Sequence, residues 1–300
     1  MSDGLIVVFG GTGFLGRAII RELAEAGRRV RIAARHPVLP DWASEDDRLE
    51  LATADVRDEA SIIAALAGAS AVVNAVSLYV ERGRLDFDTI HVQAAARLAR
   101  LARQANIDNL IHISGIGVDS ESPSAYIRAR ARGESQVITA FPKAVLLRPS
   151  VLFGPNDAFL TSLASLSRLP VIPLFGRGRT RLQPVHVIDV ARAVTRLLGG
   201  HPPAWRLYEL GGGEIEDYRN LLEQVLAHLH RPCRLMPVPF PIWRGLATVT
   251  ARLPNAPLTH DQIILMQHDN VVGEHVGTFS ELGIDPRTLR ESLPECLPRR

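Results

Sequence analysis

An apolar run, Ile6 to Phe9, ends in glycines spaced three apart, Gly10, Gly13 and Gly16. The residues that follow, Arg17 to Ala26, repeat their apolar side chains at helical spacing. A strand, a glycine turn and a helix in that order give such spacing a chemical use. Gly10 allows a tight turn. Gly13 lets the backbone approach a pyrophosphate at the helix N-terminus, and Gly16 lets helix and strand pack closely. Thr12, Phe14, Leu15 and Arg17 belong to the same turn. The stretch therefore predicts a dinucleotide-binding site.

The second strand signal ends in Ala34-Arg35-His36. A site for NAD(H) often places Asp or Glu there, to bind the ribose hydroxyls. Arg35 offers five donors and a permanent positive charge instead, which suits a 2′-phosphate. Arg17 adds charge near either phosphate. The expected cofactor is NADP(H), ahead of NAD(H). Asp55, followed by Val56, is placed to accept from the adenine amine, with a helix cap as the plainer role. Asn74-Ala75-Val76 closes the fourth strand, where backbone passes beneath the adenosine.

These residues need a sheet to hold them. Arg29–Ala34, Leu49–Thr53, Ala71–Asn74, Asn109–Ile113 and Lys143–Leu147 read as strands. Helical patterns fall at Glu59–Ala67, Phe87–Ala105 and Ser124–Ala140. The alternation predicts an α/β protein with a Rossmann-type doubly wound parallel sheet, ligands lying beyond the carboxyl ends of its strands. After Arg148-Pro149 prolines break the rhythm. Residues 1–155 are expected to form the NADP(H)-binding domain, with a helix at 189–198 packed on it. Residues 156–300 are expected to form a small mixed lobe for substrate or partner, with helices at Tyr218–His230 and Trp243–Arg252. Pro149, Ser150 and Val151 follow a core strand and should meet the nicotinamide end.

This layout resembles the extended short-chain dehydrogenase/reductase family. Its members carry a Tyr and a Lys four apart on the helix after strand five, a spacing that puts both on one face. The resemblance implies a Tyr acting as acid/base, a Lys holding the nicotinamide ribose, and a Ser or Thr polarising the substrate oxygen. The matching segment here runs from Ser124 to Arg130: Tyr126 is present, and Arg130 stands at the Lys position. Ile116 stands at the Ser or Thr position, and Ser114 lies two residues early. Arg130 keeps the charge and lacks the compact ammonium. Tyr126 is either the acid/base or only a contact for the cofactor ribose.

Further segments narrow the match. They include SGIGV at 114–118, LRPSVLF at 147–153, QPVHVID at 183–189, YELGG at 208–212, APLT at 256–259 and QHDNVV at 267–272. Together they resemble the atypical branch formed by the nucleotide-binding accessory subunit of respiratory complex I and its bacterial relatives. That resemblance implies a firmly held NADPH that is not turned over. It makes a structural or regulatory cofactor binder the first expectation. A reductase or epimerase acting on a small carbonyl or a sugar nucleotide is the alternative, and a redox-sensing module a third class.

The bulk composition is that of a folded soluble chain: 300 residues, 46% apolar, net charge +2. The charge argues against a nucleic-acid partner. Two cysteines, Cys233 and Cys296, give neither a disulfide framework nor metal spacing, and the ten histidines add no metal signal. No signal segment is evident and no apolar run reaches the ~18 residues that span a membrane. The expected location is the cytoplasm, with peripheral attachment at the inner face of the cytoplasmic membrane left open. The oligomeric state carries no signal. Arg177, Arg179 and Arg181 are candidates for an anionic substrate or head group, with a solvated edge as the plainer role. His186 either reaches the cleft or packs against the following helix. An apolar stripe within Cys233–Leu253, centred on Trp243 and flanked by arginines, is a candidate membrane or respiratory-complex contact. Pro237, Pro239 and Pro241 argue against a helix before about Ile242.

Overall fold

Every side chain of the first strand, β1 (Leu5–Phe9), is buried. An unbroken apolar run of this kind belongs in a sheet covered on both faces. The chain continues through α1 (Phe14–Glu25), β2 (Val30–Ala34), β3 (Leu49–Thr53), α2 (Glu59–Leu66) and β4 (Ala69–Asn74). A π-helix (Asp88–Ala94) then runs straight into α3 (Ala95–Gln104), followed by β5 (Asn109–Ile113), α4 (Ala125–Ala140) and β6 (Val145–Pro149). The computed structural model describes residues 4–43, 48–81, 83, 85–200, 203–250 and 258–298.

The remaining elements are β7 (Leu152–Phe153), α5 (Ala158–Leu166), β8 (Val171–Phe175), β9 (Arg181–Leu182), β10 (Val185–His186) and α6 (Val187–Leu197). They continue with β11 (Leu207–Leu210), β12 (Glu216–Asp217), α7 (Tyr218–His228), β13 (Arg234–Val238), α8 (Phe240–Thr250), α9 (His260–Leu265) and α10 (Leu289–Cys296). The main sheet is parallel, in the order β11-β6-β5-β4-β1-β2-β3. Its order reverses between β1 and β4, which opens a crevice at their carboxyl ends. One face is covered by α1 and α6, through Ile19, Ile20, Val190 and Val194, and the other by α2, α3 and α4, through Ile62, Leu98 and Val137. A separate core, including Phe153, Leu160, Leu174 and Leu221, holds the second lobe.

Several elements depart from the sequence reading: short strands and helices such as β8, α5, α9 and α10 are not among those expected, and the strand expected at Lys143–Leu147 runs from Val145 to Pro149. The seventh strand, β11, comes from beyond residue 200 and pairs with β6. Its four residues are too short a run to stand out among turns. The helix expected at Trp243–Arg252 starts three residues earlier, at Phe240, with Pro241 in its first turn. The missing N–H of a proline costs nothing there, because first-turn amides have no intrahelical acceptor. Arg252, Leu253, Ala256 and Pro257 lie outside the described residues.

One close approach fixes the helix that carries Tyr126 and Arg130. A Cβ on Gly133 of α4 would sit 2.0 Å from the backbone oxygen of His91 in the π-helix. Only a hydrogen fits at that crossing. Gly133→Ala should destabilise the protein by about 3 kcal/mol, since a rigid backbone must give way. Gly245→Ala, at a helix position with open space around it, should stabilise by about 0.5–1 kcal/mol. Urea denaturation of both variants checks the contrast; equal effects would contradict the packing account.

Candidate functional site

The glycine turn forms as its spacing requires. Gly10 adopts a positive φ of 79°, and a Cβ there would lie 2.8 Å from the Ala75 oxygen. A Cβ on Gly16 would lie 2.2 Å from the Gly10 oxygen, so α1 is drawn tight against the turn. Gly13 caps α1 without a side-chain bond, and no acidic residue occupies the first turn. The amides of Phe14, Leu15 and Gly16 precede the first intrahelical bond, from Arg17 N to Gly13 O at 3.0 Å. Free amides at a helix N-terminus favour an anion.

On one side of this turn lie the ends of β2 and β3. Arg35 and His36 are exposed there, as is Arg17 on α1. Arg35 and Arg17 donate no hydrogen bond and join no ion pair among the described residues. Asp55 is already engaged: both its oxygens take the Arg57 guanidinium, at 3.0 Å and 2.5 Å, and Oδ1 also accepts the Arg57 amide. Arg57, foremost, and Arg35 at longer range hold its carboxyl below the usual range against the effect of burial. Val56 is buried in the core on the α2, α3 and α4 face of the sheet.

On the other side lie the ends of β4, β5 and β6. Asn74 is buried, donates to Nδ1 of His112 at 3.1 Å and accepts from the Val76 amide. Ser114, at the end of β5, is 5% exposed and its hydroxyl has no partner. Ile116 is buried too, its amide bonded to the Pro149 oxygen. The chain therefore stays paired with β6 past the end of β5, and Ile116 itself offers no hydroxyl.

Tyr126 and Arg130 stand on one face of α4, as i,i+4 spacing dictates. Both are buried, and Arg130 Nη1 donates to the Tyr126 hydroxyl at 2.5 Å. Nε of Arg130 is buried with no partner. Tyr126 packs edge-on against Phe87 and His91, with ring centroids 5.4 Å away in each case, and beneath the exposed Tyr79. Burial pushes the phenol pKa up, and the Arg130 charge opposes this only in part. The phenol stays protonated at neutral pH and is a weak acid.

Several residues around this pair carried no sequence signal. His91 Nε2 meets the Leu78 oxygen at 2.8 Å, and Ser77 also bonds Tyr126. Ser124 caps α4 and donates to Asp261 of α9. Asn270 is the hub between lobe and sheet. Its Oδ1 accepts from the Ser150 hydroxyl at 2.6 Å and the Val151 amide at 3.2 Å, and its Nδ2 donates to the Ile116 oxygen. Ser150 is thus already satisfied by protein, beside the buried Pro149. Asn270 stood within a family phrase, but only contact across 120 residues gives it a role.

The other candidates separate. Arg181 pairs with Asp269 at 2.7 Å. Arg177 and Arg179 line a cavity of about 340 Å³ with Arg219 and Asp217. Arg148 is held between Glu134 and Glu209 and is structural. His186 does not reach the cleft: it is fully buried, caps α6, and meets the Phe153 ring edge-on. No group of three or more His, Cys, Asp or Glu among the described residues could hold a metal ion. No described helix is long and apolar enough to cross a membrane.

A parallel sheet in this order, with a glycine turn at its crossover and a Tyr on the helix after β5, defines a Rossmann-type protein of the short-chain dehydrogenase/reductase kind. The model of the NAD dependent epimerase/dehydratase family matches residues 6–205, and the chain belongs to that family. It is 31% identical to the mitochondrial NADH dehydrogenase (ubiquinone) 1 alpha subcomplex subunit 9 of Arabidopsis thaliana, over 97% of this chain and 76% of that one. It is 32% identical to the ceramide reductase of Caulobacter vibrioides, over 72% of this chain and 67% of that one. The UDP-glucose 4-epimerase of Thermus thermophilus, solved with NAD, shares the fold. Its TM-score is 0.62 at 21% identity, over 78% of this chain and 86% of that one.

The buried histidines give a pH signature. Burial, helped by the Arg130 charge, holds His91 down to about 4 and His112 down to about 3. Unfolded histidine titrates near 6.5. Below that value the unfolded chain binds protons that the folded one refuses. The stability these groups contribute is complete above about pH 6.5 and falls toward their folded values. Between pH 7 and pH 5 the loss should be roughly 2 kcal/mol per histidine. Urea titrations at both pH values measure it, above the range where most carboxylates titrate; a flat profile would contradict neutral burial.

Proposed function

We propose that this protein is an NADP(H) binder that holds its cofactor for a structural or regulatory purpose and turns it over slowly or not at all. The observation that carries this reading is the buried Arg130, whose guanidinium has a phenol for company and a free Nε. A buried cation with donors to spare fits a ribose hydroxyl or other acceptor supplied from outside the chain. The free amides at the start of α1 fit a pyrophosphate, and Arg35 and Arg17 fit a 2′-phosphate. The bound nicotinamide would supply hydride transfer.

What the chain's own residues offer to that chemistry is limited. Tyr126 is a weak acid held in hydrogen bond to a guanidinium that does not deprotonate. A general acid works best with a pKa near the operating pH. Ile116 gives no hydroxyl to polarise a substrate oxygen. The ceramide reductase relative supports the alternative of an active reductase, and the arginine-lined cavity of the lobe supports an anionic substrate for it.

A second surface supports a partner contact. Ile242, Leu246 and Val249 are exposed on α8 at spacings that share a face, and Val249 is 74% exposed. Trp243, expected at an interface, turns inward instead: its indole N–H donates to the Leu174 oxygen and its ring stacks on Phe175 at 4.6 Å. We read the outward face as the membrane-side or respiratory-complex contact, a reading that the mitochondrial relative's name favours. Wild-type protein should co-sediment with anionic vesicles and Leu246→Glu should not; absence of co-sedimentation by both would count against a lipid surface.

Arg35→Ala should weaken NADPH binding at least about tenfold, the loss of a charge-assisted phosphate contact. NADH binding should change little. Fluorescence titration measures both, and equal losses would remove the 2′-phosphate assignment. NADPH oxidation with a panel of carbonyls should be barely measurable and should rise in Ile116→Ser. Robust oxidation by the unmodified protein, abolished by Tyr126→Phe, would refute the slow-turnover reading.

A further inference from the structure

We propose that Arg130 makes the site discriminate between oxidation states, so that the reduced, uncharged dihydronicotinamide is held more tightly than the oxidised, cationic ring. The proposal rests on the dinucleotide reading above and adds to it a preference set by one side chain.

The argument starts from where the guanidinium lies. Nη2 is 3.5 Å from the point a Cβ on Gly115 would occupy, and the Pro149 oxygen is 3.7 Å from the same point. The fork therefore sits against the ends of β5 and β6. A dinucleotide whose pyrophosphate meets the start of α1 sends one nucleoside toward β2 and the other over β4 to β6. Arg35 marks the first direction, so the nicotinamide half falls to the second, beside Arg130.

The guanidinium against that place has no carboxylate in contact with it among the described residues, while the Arg148–Glu134–Glu209 cluster further along carries one net negative charge. Arg130 is 7% exposed and joins no ion pair among the described residues. Its one bonded neighbour, Tyr126, is a protonated phenol. His91 and His112 are neutral, and the Arg130 charge is one of the reasons. Ser114 adds an unpartnered hydroxyl. Glu134, one helical turn onward, gives its two oxygens to Arg148, which also takes Glu209, and Glu209 accepts the Gly273 amide as well.

A buried positive charge is poorly screened by solvent or salt, so a second cation beside it is disfavoured and a neutral ring is not. A lysine here could relieve the conflict by releasing its proton. Arginine cannot, because its guanidinium stays charged at any accessible pH. NADPH and NADP+ carry the same phosphates and differ at the ring, so the difference in their affinities isolates this effect. By linkage, a tenfold preference for the reduced form raises the potential of the bound two-electron couple by about 30 mV.

The experiment is calorimetric titration of the full chain with NADPH and, separately, NADP+, in the wild type, Arg130→Met and Arg130→Lys. The wild type should favour NADPH by at least about tenfold. Arg130→Lys should give a ratio between those of the wild type and Arg130→Met, because lysine can release its proton. Arg130→Met should bring it near unity, chiefly by gaining affinity for NADP+; the ratio is the readout, because a lost ribose contact weakens both forms alike. Arg130→Gln replaces the Met variant if circular dichroism finds that variant unfolded. Equal wild-type affinities, or an unchanged ratio in a folded neutral variant, would overturn this proposal alone. Binding of neither nucleotide would overturn the dinucleotide reading and this proposal with it.

Discussion

A guanidinium buried against one phenol, with no ion-pair partner among the described residues, is the constraint that the rest of the cleft depends on. Removing a charge from water costs several kcal/mol unless hydrogen bonds and an opposite charge compensate. Arg130 has one bond, at 2.5 Å, and an idle Nε. Its charge helps keep two histidines neutral and partly offsets the effect of burial on Tyr126. A site arranged in this way is short of one electron-rich ligand. That shortage, more than the glycine turn that many folds share, gives the crevice a specific chemistry.

The fold holds this cation in place from three directions. Gly133 lets α4 press onto the π-helix, which brings His91 and Phe87 to the Tyr126 ring. Ser124 fixes the start of α4 and ties it to Asp261. Asn270 joins the loops after β5 and β6 and carries the second lobe with them. The two halves of the crevice differ accordingly. The β2 side is open and presents exposed cations to solvent, suited to selecting a nucleotide by its phosphate. The β4 to β6 side is lined by buried side chains, suited to distinguishing small differences in a ring.

Much of this was legible before any coordinates. The strand at 109–113 falls where its apolar pattern ends, because a buried parallel strand carries its own boundaries. The pairing of Tyr126 with Arg130 follows from helical spacing alone. The seventh strand was not legible, since four residues among turns have no period to read. Nor was the idleness of Arg130 Nε: Glu134, four residues further along the same helix, is taken by Arg148 of β6. Asn270, His91 and His112 act through contacts between distant segments, and residue type by itself assigns them nothing. Pro241 misled in the opposite sense: a residue that breaks helices in their interior opens one here.

The central claim is that a nicotinamide nucleotide supplies what Arg130 lacks, and a crystal structure grown with NADPH tests it most directly. The account predicts the pyrophosphate on the amides at the start of α1 and a ribose oxygen within hydrogen-bond distance of the Arg130 guanidinium. An empty crevice at saturating nucleotide, or a bound nucleotide with Arg130 still contacting Tyr126 alone, would contradict it.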